Sequence, residues 1–188
     1  MAADCLSEVG TLRLETERLY FREMTMDDYA DIREILQNEQ VMRNVRGFIY
    51  TDEEVRSWIR KQMDRYRKYG FGKWALLRKG TDEFVGVCGI SMQDLGDGEV
   101  PEVGYFLKEE YWNNGYATEA GARCMEYAFN ELGFPEIFSL ISIDNMASRR
   151  VADKLGMSFS REVDGRILPH CLYSAIKNNL GGESYDTE

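Results

Sequence analysis

The chain has 188 residues, a length typical of one compact domain. Apolar residues make up 44% of it and charged residues 30%, a globular composition that argues against disorder. Acidic residues outnumber basic ones 33 to 23, and the net charge of −10 argues against nucleic-acid binding, which needs basic surface. The same charge is compatible with a cationic substrate.

The sequence also argues against a membrane protein and a metal protein. No apolar run is long enough to span a bilayer, and the first ten residues lack the features of a signal peptide. The cysteines, at positions 5, 88, 124 and 171, are too far apart for a zinc pattern. We therefore expect free thiols in a cytoplasmic protein without a metal. The single histidine, His170, is interpreted as an ordinary strand residue.

The first part of the chain predicts one strand and two helices. Apolar alternation predicts a strand over residues 12–24. A helix begins at Thr25, with Asp28 near its third position as a capping substitute. Thr51 and Glu54 form a capping box that begins a second helix, and glycines at 70 and 72 end it.

The second part predicts six more strands and two more helices. In chain order they are antiparallel strands over 73–78, 84–92 and 100–107, a helix over 115–132, a strand over 137–143, a helix over 145–155, and strands over 157–163 and 166–176. Strands and helices do not alternate regularly, so the order indicates a mixed α/β domain. We expect this single domain to cover residues 1–177 and a flexible tail to cover 178–188.

The segment from Tyr111 to Ala120 is the most informative about chemistry. A loop of small residues leads from a strand directly into a helix, and Gly115 lets a ligand approach the backbone closely. The first amides of a helix have no partners within it and lie at the positive end of its dipole, so they form a potential diphosphate site. An ordinary strand-to-helix turn stays the alternative, because the common nucleotide motifs are missing.

Several segments in order resemble the GCN5-related N-acetyltransferases (GNAT), and within them the branch of bacterial ribosomal-protein N-terminal acetyltransferases. They are residues 14–22 (LETERLYFR), 85–90 (VGVCGI), 102–107 (EVGYFL), the loop 111–120 and residues 145–157 (NMASRRVADKLGM). The resemblance covers about residues 12–177. It implies a mostly antiparallel sheet that is splayed between its fourth and fifth strands and flanked by about four helices, with a bulge in the fourth strand.

The resemblance implies that acetyl-CoA binds in the gap between those strands. Pantetheine amides would pair with backbone near Phe106 and Leu107, and a backbone N–H near Tyr105 or Phe106 would polarise the thioester carbonyl. Trp112 is expected to pack, and Asn145 and Ser148 are expected to face the cofactor. The pyrophosphate is expected on the amides of the loop and helix start, which are those of Asn113, Asn114, Gly115, Tyr116, Ala117 and Thr118.

The resemblance also implies a catalytic role for Glu102, which matches a position often occupied by a glutamate that accepts the proton of the amine. An edge carboxylate that merely attracts cations is the alternative. Many members carry a tyrosine general acid where this chain has Ala152, so protonation of the thiolate falls to solvent or to a hydroxyl such as Ser148. Cys88 and Cys124 are interpreted as buried apolar residues rather than acetyl carriers.

The leading interpretation is an acetyl-CoA-dependent N-acetyltransferase that acts by direct transfer to a primary amine, either a protein N-terminus or a small cationic amine. A non-catalytic acyl-CoA-binding or sensing module and a structural domain with an empty cleft are the alternatives. The acceptor, the acyl chain length and the oligomeric state, with a homodimer as one option, stay open. Aromatic residues of the first half are mostly expected in the core, with some lining the acceptor site: Tyr29, Phe48, Tyr50, Trp58, Tyr66, Tyr69 and Phe71.

Overall fold

The computed structural model describes residues 14–43, 45, 47–96, 98–163 and 169–177. These residues form the strands β1 (Leu19–Arg22), β2 (Lys73–Arg78), β3 (Phe84–Asp94), β4 (Glu99–Leu107), β5 (Glu136–Ser142), β6 (Ser158–Val163) and β7 (His170–Ile176). They also form the helices α1 (Tyr29–Leu36), α2 (Glu39–Met42), α3 (Asp52–Tyr69), α4 (Tyr116–Asn130) and α5 (Met146–Lys154). The predicted tail over 178–188 and Cys5 lie outside the described residues.

The strands form one sheet in the order β1-β2-β3-β4-β5-β7-β6. Neighbouring strands are antiparallel except β4 and β5, which run parallel and share a single register position, Glu102 opposite Phe138. The predicted mixed α/β fold with a splay between the fourth and fifth strands is therefore confirmed. The implied bulge in β4 is wrong, because β4 pairs with β3 without interruption along its length. The gap forms because β5 diverges from β4.

The predicted helix starts are confirmed at two capping boxes. Thr25 and Asp28 cap each other's backbone at a short 3-10 turn that leads into α1. Thr51 and Glu54 do the same at the start of α3, which ends at Gly70 in the left-handed conformation with φ +76°. Reciprocal caps of this kind satisfy donors that a helix leaves unpaired, so they fix the ends of the long α3 helix.

Two details differ from the sequence prediction. The first strand is shorter than 12–24, because the Thr16 hydroxyl accepts a hydrogen bond from the Leu19 amide (3.0 Å) and turns the chain back before β1. The one-turn helix α2 was not predicted. Its N-cap is Asn38, whose side chain accepts hydrogen bonds from two backbone amides. Four residues are too few for a periodic apolar pattern to indicate a helix.

The sheet has an apolar core on each face. The core under α4 and α5 includes Val103 and Leu107 of β4, and the core under α1 and α3 has Phe106 packed against it. Side chains alternate between the faces of a strand, so Glu102 and Gly104 face the α3 side together with Phe106. In the described part of the chain, no helix is long and apolar enough to cross a membrane.

Candidate active site

A cavity of about 360 Å³ occupies the gap between β4 and β5. Glu102 and Tyr105 of β4 line it, and Asn145 and Ser148 at the start of α5 line it opposite them. Trp58 of α3 contributes to the wall on the α3 side of the sheet. Of the residues that the sequence assigned to catalysis and to the pantetheine arm, Glu102, Phe106 and Asn145 therefore line one cavity, whereas the side chain of Leu107 is buried in the core.

A larger groove of about 980 Å³ continues from this cavity along the outer end of β4. Arg65 of α3, Gln93 of β3 and His170 of β7 line both spaces and so mark the boundary between them. His170 is a strand residue, as predicted, but its position at this boundary was not foreseen. The residues that line the groove do not include those of the loop before α4.

The loop before α4 has the geometry of an anion site. Gly115 is the N-cap of α4 with φ +82°, and no side chain caps the amides that follow it. Asn113 also has a positive φ, 61°, and Asn113 and Asn114 are exposed. Ala117 and Thr118 lie half-buried in the first turn of α4. Uncapped amides at the positive end of a fifteen-residue helix provide the donors that a diphosphate requires.

Arg18 holds this loop from the side and was not identified from the sequence. Its Nη1 donates to the Asn114 carbonyl (3.0 Å), and its Nη2 lies 2.6 Å from a carboxylate oxygen of Glu119. The guanidinium also covers the ring of Tyr116, 4.4 Å from the centroid. An ion pair of Arg18 and Glu119 therefore lies next to the uncapped amides. The contact spans about a hundred residues of sequence, so no local pattern could indicate it.

The backbone of β4 offers amides to the gap at alternate residues. The amide of Lys108 bonds to the Val85 carbonyl of β3 (3.0 Å), and alternation then directs the backbone groups of Phe106 toward β3 as well. The groups of Tyr105 and Leu107 consequently face the gap. The Leu107 carbonyl is engaged, because the Trp112 indole donates to it (3.1 Å). Trp112 is thus partly exposed and hydrogen-bonded rather than simply packed.

The carboxylate of Glu102 lies in a network that the sequence did not predict. Its Oε2 accepts hydrogen bonds from Ser91 (3.0 Å) and Gln93 (2.8 Å) and lies 3.6 Å from Nζ of Lys73. The side chains of Lys73 and Glu102 are only 7% and 12% exposed, so this is a buried ion pair. The Oε1 atom has no hydrogen bond to another described residue. It is the oxygen that can accept a proton in the cavity.

Gly104 makes the position of Lys73 possible. A Cβ atom at Gly104 would lie 2.7 Å from Nζ of Lys73, so any larger residue would displace the ammonium. Lys73 therefore crosses the sheet from β2 and reaches β4 over a strip without side chains. Gly104 was part of the family motif, but its function as the space for a buried lysine depends on strand register, which the sequence does not give.

The Tyr105 hydroxyl is buried and has no hydrogen bond of normal geometry with the described residues. Burial raises the pKa of Tyr105 from 10.0 to about 12, and the nearby Ser148 hydroxyl opposes this rise. Asn145 caps α5 by accepting from the Ser148 amide (3.1 Å), which holds Ser148 at the cavity. Two hydroxyls, those of Tyr105 and Ser148, therefore lie close together at the cavity. The sequence predicted a role for the backbone of Tyr105 but none for its hydroxyl.

The cysteines in the described residues have the character of core side chains. Cys88 and Cys124 are fully buried with their sulfur atoms 3.6 Å apart, and Cys171 is also buried and free. Burial raises the pKa of Cys124 well above its ordinary value, which disfavours the thiolate. This supports the interpretation of both residues as apolar rather than as acetyl carriers.

Comparison with known proteins identifies the family to which the chain belongs. The sequence matches the family model of the acetyltransferase (GNAT) domain over residues 18–158. YkkB of Bacillus subtilis (strain 168) is 34% identical over 167 residues, which cover 89% of this chain and 97% of that protein. The N-acetyltransferase p20 of Bacillus licheniformis is 27% identical and covers 90% of this chain and 98% of its own length.

Solved structures have the same fold. A GNAT-family acetyltransferase from Bacillus anthracis superposes with a TM-score of 0.77 at 22% identity, covering 89% of this chain and 99% of that one. RimL, a ribosomal L7/L12 alpha-N-protein acetyltransferase solved with coenzyme A, has a TM-score of 0.71 at 15% identity, covering 89% and 98%. These likenesses show that the fold is shared. The chain belongs to the GNAT acetyltransferase family and is an acyltransferase.

Proposed function

We propose that this enzyme transfers the acetyl group of acetyl-CoA directly to a primary amine, with Glu102 accepting the proton of the amine. The observation that carries the proposal is the location of Glu102. It occupies the one register position at which β4 still meets β5, and it faces the cavity that Asn145 and Ser148 line from the other side. A base at this point lies where a donor in the gap and an acceptor in the groove would meet.

The residues present fit acetyl-CoA, the donor of the acetyl group. The uncapped amides of α4 supply donors for a diphosphate, and Arg18, which is paired with Glu119, holds the loop that precedes them. The Tyr105 and Leu107 amides face the gap for the pantetheine arm. The backbone amide of Asn145 already donates to the Ser142 carbonyl (2.9 Å), so it is not available to the cofactor. When bound, acetyl-CoA supplies an acetyl group activated as a thioester.

The side chains then have distinct roles. Glu102 takes a proton from the acceptor nitrogen through Oε1, while the bond from nitrogen to the acetyl carbon forms and the bond from that carbon to sulfur breaks. The Tyr105 amide donates a hydrogen bond to the carbonyl oxygen as negative charge develops on it. The Tyr105 hydroxyl, beside Ser148, returns a proton to the departing sulfur. It regains its proton from solvent through Ser148.

The acceptor is an amine on a protein N-terminus or on a small molecule. The likeness to RimL favours the first, and the groove of about 980 Å³ is wide enough for either. A cytoplasmic location and a homodimer stay predictions.

The test combines calorimetric titration with acetyl-CoA and an assay of thiol release against a panel of amines and peptides. We expect Glu102→Gln to lower kcat by about a hundredfold or more and to alter the pH–rate profile, with unchanged acetyl-CoA affinity. Glu131→Gln, which removes an exposed carboxylate paired with Arg123, serves as the matched control. A pH–rate profile identical to that of the parent enzyme would remove Glu102 as the base. Binding without thiol release on any acceptor would indicate a non-catalytic module.

A further inference from the structure

Arg65 on α3 is a half-buried cation without a carboxylate partner in the described part of the chain. Its Nη1 donates one hydrogen bond, to Oε1 of Gln62 (3.1 Å), and no described carboxylate lies within 4.0 Å of it. Burial lowers the pKa of Arg65, although the charge of Glu102 opposes the effect. Many other arginines form ion pairs with carboxylates: Arg18, Arg22, Arg33, Arg60, Arg67, Arg78 and Arg123.

The guanidinium of Arg65 is held at the boundary between the groove and the Glu102 cavity, both of which it lines. Gln62 anchors it and is itself fully buried, with its amide donating to the Trp58 carbonyl (3.3 Å). A guanidinium carries five N–H donors and one is used by a described residue, so the others are available to a ligand that enters the cavity. This is the arrangement of a preorganised anion-binding side chain.

The charge around the cavity points to the same conclusion. Of the residues that line it, Arg65 and Lys73 are cations, and Glu102 is the single carboxylate. Lys73 is already paired with Glu102 in the buried ion pair. The interior therefore has a net positive charge, in contrast to the net charge of −10 on the whole chain. An acceptor with only positive groups would be repelled, whereas a carboxylate would be attracted to Arg65.

We propose that Arg65 binds a carboxylate of the acceptor, so that the acceptor is a molecule carrying both a primary amine and a carboxylate. The inference rests on the proposed function, since it assumes that the amine reaches Glu102. It replaces the charge-based expectation of a purely cationic acceptor. A free amino acid and a peptide with an acidic N-terminal residue share this chemistry, and the experiment distinguishes these two sources.

The test uses matched pairs of acceptors in the thiol-release assay with the full chain. One arm contains ω-amino acids from glycine to aminohexanoate, each with its carboxamide. The other contains peptides that begin with Asp or Glu, each with its Asn or Gln counterpart. Each kcat/KM is calculated from the concentration of acceptor whose amine is neutral, so that acceptors with different amine pKa values can be compared. We expect the carboxylate member of the best pair to exceed its amide by about ten- to a hundredfold, equivalent to about 1.4–2.8 kcal/mol.

Arg65→Gln should abolish this preference and leave acetyl-CoA affinity by calorimetry unchanged. Arg65→Lys should restore part of it, because an ammonium retains the charge without the fork of donors. Arg65→Gln should also weaken the binding of the acetylated product, which is measured by calorimetry with coenzyme A present. Arg67→Gln on the same helix, which removes an exposed cation paired with Asp64, is the matched control and should keep the preference.

The outcomes separate the inference from the function on which it rests. Equal rates for carboxylates and amides, or a preference that survives Arg65→Gln, would overturn the inference while amine acetylation itself stands. The inference would also be overturned if the enzyme acetylated only amines that lack a carboxylate. Failure to bind acetyl-CoA, or binding without transfer to any amine, would instead overturn the proposed function and the inference with it.

Discussion

The buried pair of Lys73 and Glu102 makes a quantitative prediction about stability. Lys73→Met retains the aliphatic volume but leaves a carboxylate that is 12% exposed without its cation. Removing one partner of a buried pair costs about 3–5 kcal/mol, and Ser91 and Gln93 still donate to Glu102, so we expect about 3 kcal/mol. For a domain of this size the corresponding fall in Tm is roughly 6–12 °C.

The assay is thermal unfolding of Lys73→Met, Glu102→Gln and the double variant, followed as a double-mutant cycle. The double variant should be more stable than Lys73→Met alone, because no unpaired charge remains in the sheet. Lys79→Met removes a cation from an exposed pair with Glu15 and should change stability by no more than about 0.5 kcal/mol. A Lys73→Met protein that unfolds within about 2 °C of the parent would refute the reasoning, since that shift corresponds to less than about 1 kcal/mol.

Two further predictions concern the donor side of the cavity. Gly115→Glu should weaken acetyl-CoA binding by about tenfold or more, since its carboxylate would compete for the uncapped amides. Gly133 has a comparable φ of +73° but lies away from the loop, so Gly133→Glu should leave the affinity unchanged. Equal affinities of the two variants in calorimetry would contradict the loop assignment. Tyr105→Phe should lower kcat with little change in KM. Because the pKa of Tyr105 is raised from 10.0 to about 12, folding stability falls as pH rises through that interval, and the variant should reduce this fall in alkaline unfolding curves. An unchanged kcat would exclude the hydroxyl as the proton donor.

The elements that the sequence predicted well are those with local chemical signals. The capping boxes at Thr25 and Thr51 place helix starts correctly, because the partners lie three residues apart. The predicted strand over 73–78 coincides with β2, since glycines precede it and a turn follows. The loop glycine at 115 is the N-cap of α4, as its position between a strand and a helix indicates.

What the sequence could not predict depends on register and on contacts distant in the chain. Lys73 meets Glu102 only because β2, β3 and β4 align Lys73, Gly89 and Gly104 across the sheet. No local sequence pattern indicates a binding role for Arg65 either, since an arginine on an amphipathic helix is ordinarily solvated. Arg65 lies at the boundary between the groove and the cavity because of the way in which α3, the β3–β4 hairpin and β7 pack together.

The acceptor illustrates why bulk charge is a weak guide to a binding site. At physiological salt the Debye length is about 8 Å, so most of the surface carboxylates are screened from a ligand inside the cavity. Buried charges are screened much less, and there Lys73 already balances Glu102. Inside the cavity the charge of Arg65 is therefore left without a carboxylate to balance it, whatever the excess of acidic residues on the whole chain. A net charge of −10 is thus compatible with an acceptor that carries a carboxylate.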